Sequence, residues 1–343
     1  IDLSSGEVLG TAKKKTRVSQ TADDLMQRLG DAAEEVLSAV KLPKGASVES
    51  VGVAAAGQVD PERGVLVSAP NLGGLSDLRI ASSLGKRLNL PVRLGNDVQG
   101  AALGEMRFGA GKGAQRVLCV FVGTGVGGAI TSGGELERGA TATAGEIGHM
   151  TIHANGRYCG CGGRGHLEAY ASRTAITRVL LEELRRGRPS VLRDLLKDEG
   201  IDEASPGGTA IRSGLLAKAV AAKDELVLET LHDAGKYLGL GLASVINFYN
   251  PERIVLGGGV IEAVPLLLDI AAPIARREAL RIPGEAVKIV LSKLGDDAGI
   301  VGAAVLGSTA SSGTVLAEAT SCRDTRFPGE QCTNVISTAV RNP

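Results

Sequence analysis

The chain holds 343 residues, 43% hydrophobic and 22% charged, a balance that suits one or two globular domains with a sizeable core. Lysine plus arginine equals aspartate plus glutamate at 38 each, so no global basic field argues for a nucleic-acid or membrane partner. No apolar run reaches the roughly 18 residues of a membrane-spanning helix, and five uneven cysteines (119, 159, 161, 322 and 332) make no extracellular disulfide framework, so the expected compartment is the cytoplasm.

Ile1-Asp2-Leu3 reads as a strand end followed by a Ser-Gly turn. Residues 21–40 carry Leu25, Leu29, Ala32, Ala33, Val36 and Val40 at helical spacing behind Thr21 as cap. Residues 51–56 and 64–68 read as short strands, the second left through Pro70-Asn71. Ser76 is expected to cap a helix to about residue 88, and a strand at 91–94 then ends in Gly95-Asn96-Asp97. With a further helix to about residue 107, this alternation predicts an α/β domain. A glycine-rich polar stretch at 110–115 marks a boundary. Residues 116–139 follow as a β-meander with glycine turns at 123–128 and 133–134. Helices are expected at 167–186, 211–222, 224–249 and 262–280, strands at 253–256 and 287–291, and a closing helix at 298–309.

Two halves that each pass from meander to alternating strand and helix predict two related domains around a cleft. Their expected bounds are 1–112 and 113–297, with 298–309 packing back on the first. From residue 311 the chain is rich in Ser and Thr without periodicity, so 310–343 is expected to be a disordered tail. Cys322 and Cys332 lie within it, as a pair or as free thiols.

His149, Cys159, Cys161 and His166 offer two thiolates and two imidazoles, a set that suits tetrahedral Zn²⁺. The glycines between them let the backbone wrap an ion, and four protein ligands would make the metal structural. The alternative is a glycine-rich loop with incidental Cys and His. Residues 122–128 (VGTGVGG) sit at a strand-to-strand turn and open no helix, so they are no dinucleotide fingerprint. Their N–H groups and the Thr124 hydroxyl suit a phosphate, while a plain hairpin explains the glycines equally. Gly257–Gly259 reads either as a strand-to-helix turn or as a place for a nucleotide's base or ribose. Asp97 ends a strand and starts a helix, where α/β proteins bind ligands, although an N-cap role also accounts for it.

Together, Gly145-Glu146-Ile147-Gly148-His149 and the segment 159–168 (CGCGGRGHLE) resemble the two signature segments of the ROK family of repressors, open reading frames and kinases. The resemblance extends through Gly57-Gln58, Pro70-Asn71-Leu72, Asn96-Asp97, the turn 123–128, Gly257–Gly259 and the closing segment 297–304 (DAGIVGAA). It implies an actin-like (ribonuclease H-like) fold of two α/β domains closing on ATP and a hexose, with glucose first among the sugars. Asp97 would be the general base for the 6-hydroxyl, and Gly57, Asn71, Asn96, Asp97, Glu146, His149 and Glu168 would surround the sugar. Thr124, Gly125 and Gly127 would hold the ATP phosphates, and Gly258 and Gly259 would lie beside the adenosine. Mg²⁺ and a structural Zn²⁺ on His149, Cys159, Cys161 and His166 are the implied ions. A homodimer or higher homo-oligomer is the implied assembly.

Two departures stand out. His166 replaces the third family cysteine, which implies altered zinc geometry. The family also opens with a strand and an Asp-x-Gly-Gly-Thr type phosphate loop carrying an acid for Mg²⁺, and Ile1 aligns just after it. The expectation is a chain truncated at its start, with reduced or absent activity. A sugar-responsive repressor and a catalytically silent sugar-binding protein remain the alternative readings.

Overall fold

The computed structural model describes residues 1–14, 21–42, 45–69, 72–201 and 211–308, together with the backbone of the strand 334–340. Along the chain, α1 (Ala22–Ala39) leads to β1 (Val48–Ala55), β2 (Gln58–Asp60), β3 (Val65–Ala69) and β4 (Leu75–Leu78). Next come α2 (Ile80–Leu88), β5 (Val92–Asn96) and α3 (Asp97–Phe108). The meander β6 (Arg116–Val122), β7 (Val126–Ser132), β8 (Glu135–Leu136) precedes helices α4 (Glu168–Ala171), α5 (Arg173–Arg185), α6 (Leu192–Asp198), α7 (Ser213–Ala221) and α8 (Glu225–Tyr249). Then β9 (Arg253–Gly257), α9 (Gly259–Ala263), α10 (Leu266–Glu278), α11 (Arg281–Ala286) and β10 (Lys288–Leu291) lead to α12 (Ala298–Ser308) and β11 (Asn334–Val340). The chain divides into two compact units, one of Ile1–Phe108 with Asp297–Pro343 and one of Gly109–Asp296.

In the first unit β1 is the middle strand of a parallel sheet ordered β11-β1-β5, and β2, β3 and β4 form a separate antiparallel sheet. Helix α1 begins with a capping box, in which Thr21 Oγ1 accepts from the Asp24 N–H and the Thr21 N–H donates to Asp24. Leu25, Leu29 and Ala33 form its buried face, as the helical spacing requires. Helix α12 is apolar all round and is buried on almost every side. Glycine lets it lie on its neighbours: a Cβ on Gly302 would stand 1.6 Å from the carbonyl oxygen of Gly100 in α3. A Cβ on Gly52 of β1 would likewise stand 1.6 Å from the Ala303 oxygen. This backbone-to-backbone seating fixes α3, and with it the strand-to-helix junction at Asn96-Asp97.

In the second unit five strands are ordered β10-β9-β6-β7-β8. The β6, β9 and β10 pairs are parallel, and the meander is antiparallel. The 25-residue α8 is capped by Asp224, which accepts from the Val227 N–H, and is stopped by Asn250 in the left-handed conformation. Its buried face joins the β6 and β9 side chains in one large aliphatic core. That core carries the weight that aromatic residues bear elsewhere, since the chain has no Trp and only four Phe.

Four expectations are corrected, the first being the single helix over 167–186, which Ser172 divides into α4 and α5 because its extended backbone ends one and its side chain caps the other. Ser76 caps no helix; it lies in β4, paired with Ser68 of β3, and α2 begins after Arg79 without a side-chain cap. A serine ahead of an apolar run suits a strand and a cap equally, and cross-strand pairing decided here. The single helix expected over 262–280 is two, because Pro265 keeps Val264 out of the helical region, at φ −133° and ψ 74°, and restarts the helix. The expected disordered tail contains β11, seven residues running parallel to β1 with Val51 opposite Ile336. Its sequence, NVISTAV, is rich in β-branched residues, which suit a pleated strand. Cys322 and Cys332 lie outside the described residues. Among the described residues, no helix is long and apolar enough to cross a membrane.

The α3–α12 contact makes a test of sign. By helix propensity alone Gly302→Ala would stabilise α12 by about 1 kcal/mol. Because its methyl would meet backbone that cannot give way locally, we expect a net loss of about 1–3 kcal/mol in chemical denaturation.

Candidate active site

In the first unit the candidate residues gather where β5 becomes α3. The Asn96 side chain holds that junction: its Oδ1 accepts from the N–H groups of Val98 (2.9 Å) and Gln99 (3.2 Å), while its Nδ2 donates to the Gly57 oxygen (3.1 Å). Asn96 therefore satisfies the first-turn donors of α3 and ties the end of β1 to the end of β5. The capping role that sequence alone offers to Asp97 thus falls mainly on its neighbour. Asp97, partly exposed, accepts from the Val98 N–H at 3.0 Å. Burial pushes its carboxyl above the usual carboxylate range, against hydrogen bonds from Val98, its own N–H and Asn96 that favour the charged form. Asn71 lies outside the described residues.

In the second unit the segment from Gly145 to Glu168 folds back on itself. Short antiparallel bridges join Thr151 to His166 and Tyr158 to Arg164. Between them, the Cys159 N–H donates to the Gly163 oxygen and the Gly162 N–H returns to the Cys159 oxygen. Gly165 holds a φ of +73° and donates to the Arg157 oxygen, and any Cβ there would strike the His153 oxygen at 1.8 Å. Tyr170 fastens the loop to the core: its hydroxyl accepts from the Arg157 N–H at 2.8 Å, and its ring lies 4.2 Å from that of Tyr237 on α8.

This folding brings one ligand atom each from His149, Cys159, Cys161 and His166 within 4.8 Å of one another. Cys159 Sγ lies 3.8 Å from His149 Nδ1, and Cys161 Sγ lies 3.2 Å from His166 Nδ1. Two sulfurs and two ring nitrogens at these separations fit a tetrahedral ion of the zinc type. His166, the residue out of keeping with the resemblance, stands in the cluster. Burial pushes the Cys159 thiol up to about 11, and the nearby Glu168 carboxylate adds to the rise. A divalent cation among the four groups would reverse that shift, because it holds a coordinating thiol deprotonated.

Glu168 is where the loop meets the glycine turn. Its Oε1 lies 3.5 Å from Cys159 Sγ, and its Oε2 accepts from the Val126 N–H at 3.0 Å. A Cβ on Gly125 would stand 2.3 Å from that same oxygen, so glycine admits the carboxylate to the turn. On the turn's other side, the Arg173 N–H donates to the Gly123 oxygen (2.9 Å) and Thr174 Oγ1 to the Thr124 oxygen (2.7 Å). The turn carrying Thr124, Gly125 and Gly127 is thus held from two directions. Gly258 follows β9, which pairs with β6, and backs onto Val122 at the end of β6, placing Gly258 and Gly259 beside the same turn. Glu146 is exposed just ahead of the 3₁₀ turn Ile147–His149, which packs on β7 through Gly148.

Sequence reasoning missed Arg173 and Thr174. The available signal was an arginine at the first position of a helix, where the positive end of the helix dipole favours acids.

Relatives match most of the chain. A family model described as "ROK family" matches residues 5–310. A glucokinase of Halalkalibacterium halodurans is 33% identical over 302 residues, covering 87% of each chain. A xylose repressor of Caldicellulosiruptor bescii is 28% identical, covering 87% of this chain and 71% of that protein. Among solved structures, a ROK family glucokinase from Streptomyces griseus in complex with glucose and AMPPNP superposes with a TM-score of 0.73 at 31% identity, covering 89% of this chain and 93% of that one. The fold is the two-domain α/β fold of the actin-like ATPases. The chain belongs to the ROK family.

Proposed function

We propose that this protein is an ATP-dependent hexose kinase that phosphorylates glucose at its 6-hydroxyl, with Asp97 as general base. The observation that carries the reading is the division of labour at the β5–α3 junction. Asn96 caps the helix and braces Gly57, which leaves Asp97 a carboxylate at the strand's carboxyl end with raised proton affinity. Likeness to the two glucokinases supports the choice of sugar and nucleotide.

In this mechanism the sugar's 6-oxygen attacks the γ-phosphorus while Asp97 takes its proton. The bond to the β,γ-bridging oxygen breaks, and ADP leaves with that electron pair. Positioning and electrostatics carry most of the catalysis. Gly57, Asn71, Asn96, Glu146, His149 and Glu168 form the sugar-binding set. Glu168 serves it while already holding Val126, because a carboxylate offers about four acceptor sites. Thr124, Gly125 and Gly127 receive the phosphates, with Gly258 and Gly259 beside the adenosine. Zinc on His149, Cys159, Cys161 and His166 supplies a structural cross-link that sets the loop's shape. Likeness to a xylose repressor favours a second reading, a sugar-responsive regulator that binds sugar without turnover.

An ADP-release assay with Mg-ATP over a panel of hexoses separates the two readings, turnover of glucose being the expected outcome and sugar binding without turnover the contrary one. Asp97→Asn is expected to lower kcat by about 10²–10⁴-fold with glucose affinity retained. The same variant should not lose stability at neutral pH. A carboxyl whose folded pKa is raised costs stability above that pKa, and the cost fades as pH falls through it. Thermal melts should therefore show Asp97→Asn equal to or above the wild type at pH 7, with any advantage vanishing in acid. Glu168→Ala should raise KM for glucose and for ATP together; a rise confined to glucose would mean that the bond to Val126 does not hold the turn. Cys159→Ser should lower the zinc content measured by atomic absorption and weaken glucose binding with it.

A further inference from the structure

Arg173 is the first residue of α5, directly after the cap Ser172. Its backbone is bonded to Gly123, and its side chain bends onto the same turn, with Nη2 donating to Thr124 Oγ1 at 2.8 Å. Its Nε is buried without a hydrogen-bond partner, and among the described residues the guanidinium makes no ion pair. A buried donor left unpaired is costly, and a cation at a helix N-terminus adds repulsion from the helix dipole. The first turn of α5 carries no acid to offset it. Two unfavourable terms, with nothing in the first turn to offset them, thus meet at one side chain beside the glycine turn. An anion seated on that turn would relieve the electrostatic one.

We propose that Arg173 binds the nucleotide's phosphate chain at the Thr124 turn. The inference rests on the kinase reading and adds to it a formal positive charge. The turn's N–H groups offer only partial charges, whereas a triphosphate brings several full negative ones. A guanidinium fork matches phosphate oxygens in geometry as well as charge. The hydrogen bond to Thr124 acts in the same direction. Its hydroxyl oxygen accepts from Arg173, so its proton is free to donate to a phosphate oxygen.

The test is calorimetric binding of ATP, ADP and adenosine to the full chain as wild type, Arg173→Ala and Arg173→Gln, with circular dichroism to confirm folding. Arg173→Gln removes the charge while keeping a donor in reach of Thr124, so it separates phosphate binding from propping of the turn. We expect both variants to lose about tenfold or more in ATP and ADP affinity, about 1.4 kcal/mol, with adenosine affinity unchanged. Unchanged ATP affinity in Arg173→Gln, or equal weakening of ATP and adenosine, would overturn the proposal. If Arg173→Ala does not fold, the Gln variant alone decides. Wild-type turnover of glucose with an unaffected Arg173→Gln variant sinks the Arg173 role and leaves the kinase reading standing. A wild type that binds neither ATP nor ADP sinks both.

Discussion

One carboxylate joins the two pieces of chemistry in the second unit. Glu168 accepts from the Val126 N–H with one oxygen and faces Cys159 Sγ with the other, so the cysteine loop and the glycine turn share a strut. Much nearby sequence serves that contact. Gly125 lacks the side chain that would block it, and Gly165 lets the loop double back. Leu167, fully buried against Gly241 of α8, sets the position from which Glu168 reaches out. An ion held in the cysteine loop would then bear on the glycine turn through Glu168.

The first unit meets the same demand by other means. The general base proposed there would have to be a carboxylate held at a strand end without being consumed as a cap. Asn96 frees Asp97 from that task, and α12, seated on bare backbone at Gly100 and Gly302, keeps α3 from shifting under it. Burial then raises the carboxyl's proton affinity, in the direction that suits the base proposed for it.

Much of this was legible in the sequence. The spacing of Leu25, Leu29 and Ala33 gives α1, and the order of His, Cys and Glu in 146–168 gives the cluster and its family. What sequence could not show was direction. Nothing in the string says that Glu168 turns toward Val126, that Asn96 takes the capping role, or that Arg173 lies on Thr124; these depend on backbone approach between distant segments. A capping serine and a strand serine such as Ser76 look alike locally, and β11 depends on a partner, β1, that lies almost 300 residues earlier.

The coupling of the proposed zinc loop to the proposed nucleotide turn through Glu168 is the point on which the rest depends. Its most direct measurement is the affinity of a non-hydrolysable ATP analogue for the chain loaded with zinc and after chelation, with circular dichroism confirming that the fold persists. With the two segments coupled, chelation is expected to weaken nucleotide binding along with glucose binding. Nucleotide affinity that stays constant while glucose affinity falls would contradict it.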